Sequence, residues 1–453
     1  MKLLNFPLEK RALQYTAVFA CSVATFSSGC QYGWSSPSLP LLLSEDSPIP
    51  MTNEQSSWVV VICLFGGLCG AICAGITLDL IGRKMAILIS SVTFIVSWLM
   101  MAFANSLAVL LAARLIAGYS DGLIYGVIPV YIAEISDAGV RGLLGCTVTI
   151  TFLIGSAFMN VIGTYLTIKW SALICAALPV IILVLLIWIP DSPNFYLIKN
   201  NHEKARVSLV AFKGVEEADR TLEILAESVT KGNLRCLFKK PSLKNLLMIM
   251  GLRFGQQFSG VIAFTFYAQT LFQEGSDALS PLSGVLIWYA VQILFSTIGA
   301  LYVDRIGRKP LMIASTIGSV ISLLLGGLFF LARDVLGLDT SGISALPTVM
   351  LITYIISYSS ALQLVPLFLG AEIFASNVKA YSVAISDGYY FIFAGLASKY
   401  FQFTMEEYGL YVPFLTFALC CSFGLVMIIF FIPETKNKTL EEIQMEMNNK
   451  SSA

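Results

Sequence analysis

Long apolar runs follow one another along the chain, each about as long as a membrane-spanning helix. Such a helix needs roughly 20 predominantly apolar residues. Runs of this kind lie at 14–34, 56–77, 86–104, 107–132, 146–166 and 170–190, and again at 247–272, 281–303, 310–332, 346–371, 381–403 and 410–432. The pattern predicts an all-α membrane protein with twelve transmembrane helices in two groups of six. The fourth and tenth helices are open to a kink or a break.

A polar segment at 191–244 separates the two groups of runs. Two stretches of it, 201–212 and 216–228, carry apolar residues at three- and four-residue spacing, which is typical of amphipathic helices. We therefore expect short helices beneath the membrane domain. The predicted divisions are an N-terminal six-helix bundle at 1–190, linker helices at 191–244, a C-terminal six-helix bundle at 245–435 and a tail at 436–453.

Lysine and arginine mark one side of the membrane. Ten of them lie between Lys199 and Lys244, whereas the loops on the opposite side hold only Lys169, Arg333 and Lys399. Positive residues concentrate in cytoplasmic loops. The bias predicts that both termini and the linker are cytoplasmic, in a multi-pass protein of the plasma membrane.

Three short motifs occur once in each half of the chain, in the same order. LDLIGRK at 78–84 returns as VDRIGRK at 303–309, AEISDAGVR at 133–141 returns as AEIFASNVK at 371–379, and PDS at 190–192 returns as PET at 433–435. A duplicated six-helix unit is typical of transporters, whose substrate site lies near the middle of the membrane between the halves. The repeat therefore predicts two pseudo-symmetric bundles.

These motifs bring charged residues to the cytoplasmic face of both halves. Glycine permits the tight turns, and the aspartate of each turn is expected to cap the helix that follows. Topology anchors are the simpler explanation of either copy alone. The duplication favours a gate network that clamps the halves and biases one of two domain arrangements. The predicted network consists of Asp79, Arg83, Glu134, Arg141, Asp191, Asp304, Arg308, Glu372, Lys379 and Glu434.

Composition narrows the possible functions. The 453 residues are 57% hydrophobic and 12% charged, with a mean hydropathy of +0.80 and zero net charge, so no basic field points to nucleic acid. The ten cysteines show neither metal spacing nor a disulfide framework. The one histidine, His202, lies in the polar linker. We expect no metal, no cofactor and no enzymatic activity.

Several further motifs are those of a known family. They are Arg114-x-x-x-Gly118, Pro190-Asp191-Ser192-Pro193, Gln256-Gln257-Phe258-Ser259-Gly260, Pro433-Glu434-Thr435-Lys436 and Thr439-Leu440-Glu441-Glu442-Ile443. With the duplicated loops, they resemble the sugar porter family of the major facilitator superfamily over essentially the whole chain. Gly33-Trp34-Ser35-Ser36-Pro37 is most similar to the facilitated trehalose transporters of insects.

Two adjacent amides, Gln256 and Gln257, stand in an apolar run, where they are costly unless they face a cavity or a partner helix. An amide both donates and accepts hydrogen bonds, as sugar hydroxyls require. The resemblance implies that both bind the sugar, together with Gln292, and that Tyr267 lies at the outer gate. The open alternative is that one of the amides joins helices.

The chain departs from the family pattern at several sugar-contacting positions. Thr149 stands where the family has a glutamine, Ile262 where it has an asparagine, and Tyr390-Phe391 where it has Asn-Trp. Thr149 is kept as a substrate-binding candidate. The departures imply an altered substrate, weak affinity or lost transport.

Ionisable residues within the spans are functional candidates. Asp121 and Asp387 are possible proton-coupling carboxylates, although either can simply bond a neighbouring group. Arg114 and Arg253 are expected near cytoplasmic ends, snorkelling or paired with loop acids. Gln31 aligns with the carboxylate of the first span in proton-linked members, which favours uncoupled transport.

The predicted function is facilitative transport of a sugar, either trehalose or a hexose, by alternating access. The alternatives are a proton-coupled symporter and a non-transporting sugar receptor on the same fold, of which receptors tend to have longer cytoplasmic tails. The expected partners are a small sugar and the lipid bilayer, without nucleic acid. Oligomeric state stays open.

Overall fold

The computed structural model describes residues 8–45, 47–137, 141–228, 237–238, 240–275, 280–366, 369, 373–374, 376–434 and 436. The first half consists of α1 (Leu8–Leu43), α2 (Asn53–Ile81), α3 (Arg83–Ala102), α4 (Leu107–Ile135), α5 (Arg141–Tyr165) and α6 (Ile168–Leu186). The linker contains α7 (Pro193–Ile198), α8 (His202–Lys213) and α9 (Val215–Ser228). The second half consists of α10 (Lys240–Gln257), α11 (Val261–Phe266), α12 (Ala268–Gly275), α13 (Pro281–Ile306), α14 (Arg308–Asp334), α15 (Leu346–Ser360), α16 (Ser376–Tyr408) and α17 (Tyr411–Phe431).

The helices pack in two bundles that meet along a few helix pairs. In the first half α2 and α3 pack on α4, and α1 packs on α5 and α6; in the second half α14 packs on α15 and α17, and α13 packs on α15. Small residues permit the closest approaches, since a Cβ atom at Gly118 of α4 would overlap the Cys63 carbonyl of α2. The halves meet where α2 packs on α16 and α5 on α13.

Lipid is the solvent for most of this surface. Among the described residues, nine helices are long and apolar enough to cross a membrane. The 36-residue α1 and the 33-residue α16 are longer still but are rich in serine and tyrosine, and α15 is a shorter apolar helix. With α10–α12 counted as one interrupted span, each half has six membrane-spanning units.

The seventh and tenth spans are interrupted. The tenth breaks after Ser360, as expected, whereas the expected kink site in the fourth is a continuous α4 with Pro129 inside it. The interruption of the seventh span at 258–260 was not predicted; there Gly260 takes a left-handed conformation, with φ +88°. The Tyr354 hydroxyl donates to the Ser259 carbonyl at 2.9 Å, so the backbone freed by the break finds a partner within the protein, as apolar surroundings require.

The helix ends next to α7–α9 form what we call the linker side, and the opposite ends form the far side. On the linker side, Asp191 Oδ1 accepts hydrogen bonds from the backbone N–H groups of Arg83 (3.0 Å) and Lys84 (3.2 Å). Asp191 therefore caps α3. The expected cap, Asp79, is instead half exposed and forms an ion pair with Arg83 at 3.5 Å. That expectation was wrong, because the carboxylate that reaches the helix end comes from a motif 108 residues further on.

The second half repeats this cap. Glu434 accepts from the backbone N–H groups of Arg308 (3.0 Å) and Lys309 (3.1 Å) at the start of α14. The preceding glycines, Gly82 (φ 91°) and Gly307 (φ 112°), have backbone conformations that other residues rarely adopt. A Cβ atom at either glycine would run into the capping carboxylate. The duplicated motifs thus encode one corner, built twice.

Alanine at Gly82 tests this corner. We expect Gly82→Ala to lower the melting temperature, because about 1–2 kcal/mol of backbone strain adds to overlap with Asp191. Gly214→Ala, where φ is 84° but the space is open, should cost less. Gly145→Ala, with nothing within 4 Å of the added Cβ, is the control and should cost nothing. Thermal unfolding of the purified variants measures the order of their melting temperatures. Equal melting temperatures for the Gly82 and Gly145 variants would contradict the corner.

Candidate functional site

Several linker-side charges of the predicted network bond residues of their own half. Arg83 donates to Glu134 at 2.9 Å, which ties α3 to α4. Burial raises the pKa of the Asp191 carboxyl, an effect that outweighs the opposing hydrogen bonds from the Ser192, Lys84 and Arg83 backbone. The side chains of the other predicted network members, Arg141, Asp304, Glu372 and Lys379, lie outside the described residues.

Hydrogen bonds join the two halves on the far side. The Tyr267 hydroxyl donates to Gln402 Oε1 at 2.5 Å, and Gln402 Nε2 donates to the Asn53 carbonyl (2.6 Å) and to Ser56 Oγ (3.1 Å) of α2. The Lys399 ammonium bonds Ser57 Oγ and lies 5.1 Å from the centre of the Trp58 ring. Tyr267, at the junction of α11 and α12, therefore belongs to a closed far-side contact.

Gln256 is fully engaged within the protein. Its Oε1 accepts from Arg253 Nη1 at 2.9 Å, and its Nε2 donates to the carbonyls of Leu362 (2.9 Å) and Gln363 (3.2 Å). Those carbonyls belong to the break that follows α15. These contacts are the ones that the helix-joining alternative requires of Gln256.

Gln257 differs sharply from its neighbour. The side chain is 0% exposed, and among the described residues neither Nε2 nor Oε1 has a hydrogen-bond partner. An unsatisfied buried amide costs about 1–3 kcal/mol. Such a group is suited to a ligand that supplies the missing donors and acceptors.

Gln292 lies beside the same break. Its Nε2 donates to Gln363 Oε1 at 3.2 Å, and its own Oε1 is buried without a partner in the part of the chain described. Ser296 Oγ donates to the same Gln363 oxygen at 3.1 Å. Gln363 and Gln402 were missed as site residues, although both are amides in apolar runs, the signal that singled out Gln256 and Gln257.

Aromatic rings fill the centre between the halves. Tyr32 of α1 stacks on Phe266 of α11 with ring centroids 5.4 Å apart, and it meets Phe152 of α5 at 5.2 Å. Tyr125 of α4 meets Phe391 of α16 at 6.4 Å. These two ring pairs cross between the halves, Tyr32–Phe266 stacked and Tyr125–Phe391 edge to face, and form what we call the aromatic layer. Thr149 lies half buried on α5, three residues before Phe152.

Arg253 and Asp387 form a buried pair in the second half. Arg253 Nη2 lies 3.4 Å from Asp387 Oδ1, its Nε donates to Ser386 Oγ at 3.3 Å, and its guanidinium lies over the Tyr390 ring. The expectation that Arg253 snorkels or pairs with loop acids was wrong. Its partner is a carboxylate from α16, and the guanidinium also supports Gln256.

Arg114 is also interior, contrary to expectation. It is 0% exposed, and its Nη1 donates to the Gln31 carbonyl (2.9 Å) and to Gln31 Oε1 (3.2 Å). Its Nη2 donates to Ser35 Oγ at 3.1 Å, and the guanidinium lies 5.1 Å from the Trp34 ring. Arg114 lies about two turns before the middle of α4, in the half of the helix nearer the far side. Its side chain therefore cannot reach the linker-side surface.

Asp121 lies two turns from Arg114 along α4. The side chain is 0% exposed, beside Ser28, and neither carboxylate oxygen has a hydrogen-bond partner by geometry among the described residues. Polar atoms without a hydrogen-bond partner among the described residues therefore occur in both halves: the Asp121 oxygens in the first, and the Gln257 amide and Gln292 Oε1 in the second. Together they can bind a polar molecule that carries several donors and acceptors.

Comparison with known proteins gives the family. A family model described as "Sugar (and other) transporter" matches residues 10–447. Facilitated trehalose transporter Tret1 from Drosophila grimshawi and from Polypedilum vanderplanki are each 31% identical over 96% of this chain. The chain spans 48% of the length of the first and 88% of the second, so it is about half as long as some of its relatives.

Solved structures show the same fold. The inward-open xylose transporter XylE from E. coli matches with a TM-score of 0.79 at 19% identity, covering 96% of this chain and 99% of that one. The major facilitator superfamily proton:xylose symporter XylE bound to 6-bromo-6-deoxy-D-glucose matches with a TM-score of 0.78 at 20% identity, with the same coverage. The predicted fold of twelve helices in two bundles is confirmed.

The family model spans nearly the whole chain, and the relatives are transporters rather than enzymes. The chain therefore belongs to the sugar (and other) transporter family and has the major facilitator fold.

Proposed function

We propose that this protein moves an uncharged sugar, trehalose or a hexose, down its gradient by alternating access. The observation that carries the proposal is Gln257, whose buried amide lacks a protein partner within the described residues. Hydroxyl groups of a sugar supply both donors and acceptors. The Tret1 relatives, named as facilitated trehalose transporters, support the same substrate class.

The closed far side and the two-bundle fold support alternating access. Tyr267 and Gln402 belong to the contact that must open when the protein faces the other way. Thr149, Gln256 and Gln292 complete the proposed substrate-binding set, with Gln256 acting by holding the break after α15 in place. The proposed bundle boundaries are 1–190 and 245–435, joined by linker helices at 191–244.

Uncoupled transport is the favoured form. Gln31 bonds Arg114 with a neutral amide, which takes up no proton in the physiological pH range. Asp387, one of the two possible coupling carboxylates, is neutralised by Arg253 at 3.4 Å. The second candidate function is a proton-coupled symporter, and Asp121, which lacks such a pair, is the observation in its favour.

The side of the membrane follows from the charges. We propose that the linker side faces the cytoplasm and that the protein resides in the plasma membrane, because the linker holds many of the basic residues. A membrane-impermeant thiol reagent should label a cysteine placed at Lys204 of α8 only after the cell membrane is opened. Labelling of this cysteine in intact cells would show the opposite orientation.

Uptake by proteoliposomes tests the proposed function. Purified protein should equilibrate radiolabelled trehalose or D-glucose across the bilayer, and an imposed pH gradient should leave the initial rate unchanged. A rate that rises with inward proton flow would identify the symporter. Binding without uptake of either sugar would identify a receptor. Protein-free vesicles are the control and measure the passive entry of sugar.

Alanine at Gln257 tests the sugar contact, with Gln256 as the matched comparison. Gln257→Ala should weaken sugar binding about ten- to a hundredfold and leave the melting temperature unchanged, because the amide bonds none of the described residues. Gln256→Ala should lower the melting temperature, since the Leu362 and Gln363 carbonyls lose their donor. Affinity and thermal unfolding measured on both proteins decide between these roles. A Gln257 variant with normal affinity would contradict the proposal.

Charge reversal at Glu134 tests the gate network. Glu134→Lys places two positive charges where Arg83 now bonds a carboxylate, which should slow transport severalfold through the conformational equilibrium while sugar affinity stays near wild type. Asp219→Lys is the control, because its exposed ion pair with Arg206 contributes little. Loss of sugar affinity at an unchanged transport rate would show that Glu134 acts on the site instead.

A further inference from the structure

One buried charge in the first half has no role in the contacts described so far. Asp121 is completely enclosed, and neither of its oxygens has a hydrogen-bond partner among the described residues. Enclosing a carboxylate without partners is among the costliest arrangements in a protein. A ligand that binds and dissociates would supply the missing hydrogen bonds.

Arg114 is not that partner. It lies seven residues before Asp121, on the same face of α4, but its N–H groups are directed at Gln31, Ser35 and the Val59 carbonyl. It also lies over the Trp34 ring. The positive charge therefore lowers the cost of burying Asp121 from a distance while leaving its two oxygens available.

The surroundings of Asp121 include side chains from both halves. Tyr32 and Tyr125 of the first half, and Tyr390 of the second, lie within electrostatic range of the carboxylate. The Tyr390 ring packs on Arg253, and Gln257 lies one helical turn beyond Arg253 on α10. Asp121 thus lies close to the aromatic layer, of which Tyr32 and Tyr125 are members.

We propose that Asp121 is the sugar-binding residue of the first half, where its carboxylate accepts hydrogen bonds from sugar hydroxyls. An enclosed carboxyl group whose oxygens lack a protein partner among the described residues is satisfied when sugar hydroxyls bond it. Tyr32 and Tyr125 supply aromatic surface for the apolar face of the sugar ring. The inference rests on the proposed sugar transport.

Asparagine at position 121 tests the proposal, because it keeps the shape and replaces the carboxyl group by an amide. In proteoliposomes, Asp121→Asn should raise the KM for trehalose or D-glucose about ten- to a hundredfold and change the maximal rate little. Its melting temperature should stay equal or rise, since the Asp121 oxygens have no hydrogen-bond partner to lose among the described residues. Ser120→Ala is the control and should behave as wild type, because Ser120 bonds Thr93 of α3, away from the aromatic layer.

A second measurement uses the wild-type protein with monodeoxy analogues of D-glucose. At least one analogue should bind ten- to a hundredfold more weakly to wild type than glucose does, and that loss should shrink in Asp121→Asn. Wild-type protein that transports neither sugar would refute the proposed function itself. Transport with an unchanged KM in the variant would refute the role of Asp121 alone. A variant that fails to fold would also overturn the proposal, because it would show a structural role for Asp121. A variant that loses only the acceleration of transport by a pH gradient would overturn it as well, because it would show that Asp121 carries a proton.

Discussion

Lipid offers no hydrogen bonds, and this constraint explains most of the architecture. Every polar group inside the membrane must be bonded within the protein or remain costly. Asp191 and Glu434 bond the free N–H groups at the starts of α3 and α14, at corresponding corners of the two halves. Tyr354 and Gln256 bond the backbone freed where the seventh and tenth spans break. The breaks are tolerated because their partners are close.

The same constraint separates supporting residues from ligand-binding ones. Gln256 and Gln257 are adjacent and chemically identical, yet within the described part of the chain both the oxygen and the nitrogen of the first amide are bonded and neither of the second. Among the carboxylates, Asp387 has Arg253, whereas Asp121 has no direct partner within the described residues. In the proposed function, a sugar that enters between the halves bonds these remaining groups. Its arrival then favours closure, because those groups are bonded only when both halves surround it.

The sequence predicts the fold well because apolar length and positive loops are local properties. The twelve spans, the repeat and the linker helices can each be predicted from contiguous segments of the sequence. The pairings are not local: Asp191 reaches Arg83 across 108 residues, Arg114 reaches Gln31 across 83, and Gln256 reaches Leu362 across 106. Motif spacing therefore pointed to Asp79 as the cap and to the membrane surface for Arg114. It also gave no means of ranking Gln256 against Gln257, since only the packed helices decide which amide meets a carbonyl.

The most direct test of the account is an experimental structure of the protein with trehalose or D-glucose bound. Sugar oxygens should lie within about 3 Å of the Gln257 amide and of the Asp121 carboxylate, which are normal hydrogen-bond distances. The sugar ring should pack against Tyr32 or Tyr125, and Gln256 should keep its bonds to Leu362 and Gln363. A sugar bound elsewhere, with Gln257 and Asp121 still buried and unbonded, would contradict the claim that buried polar groups without protein partners bind the sugar.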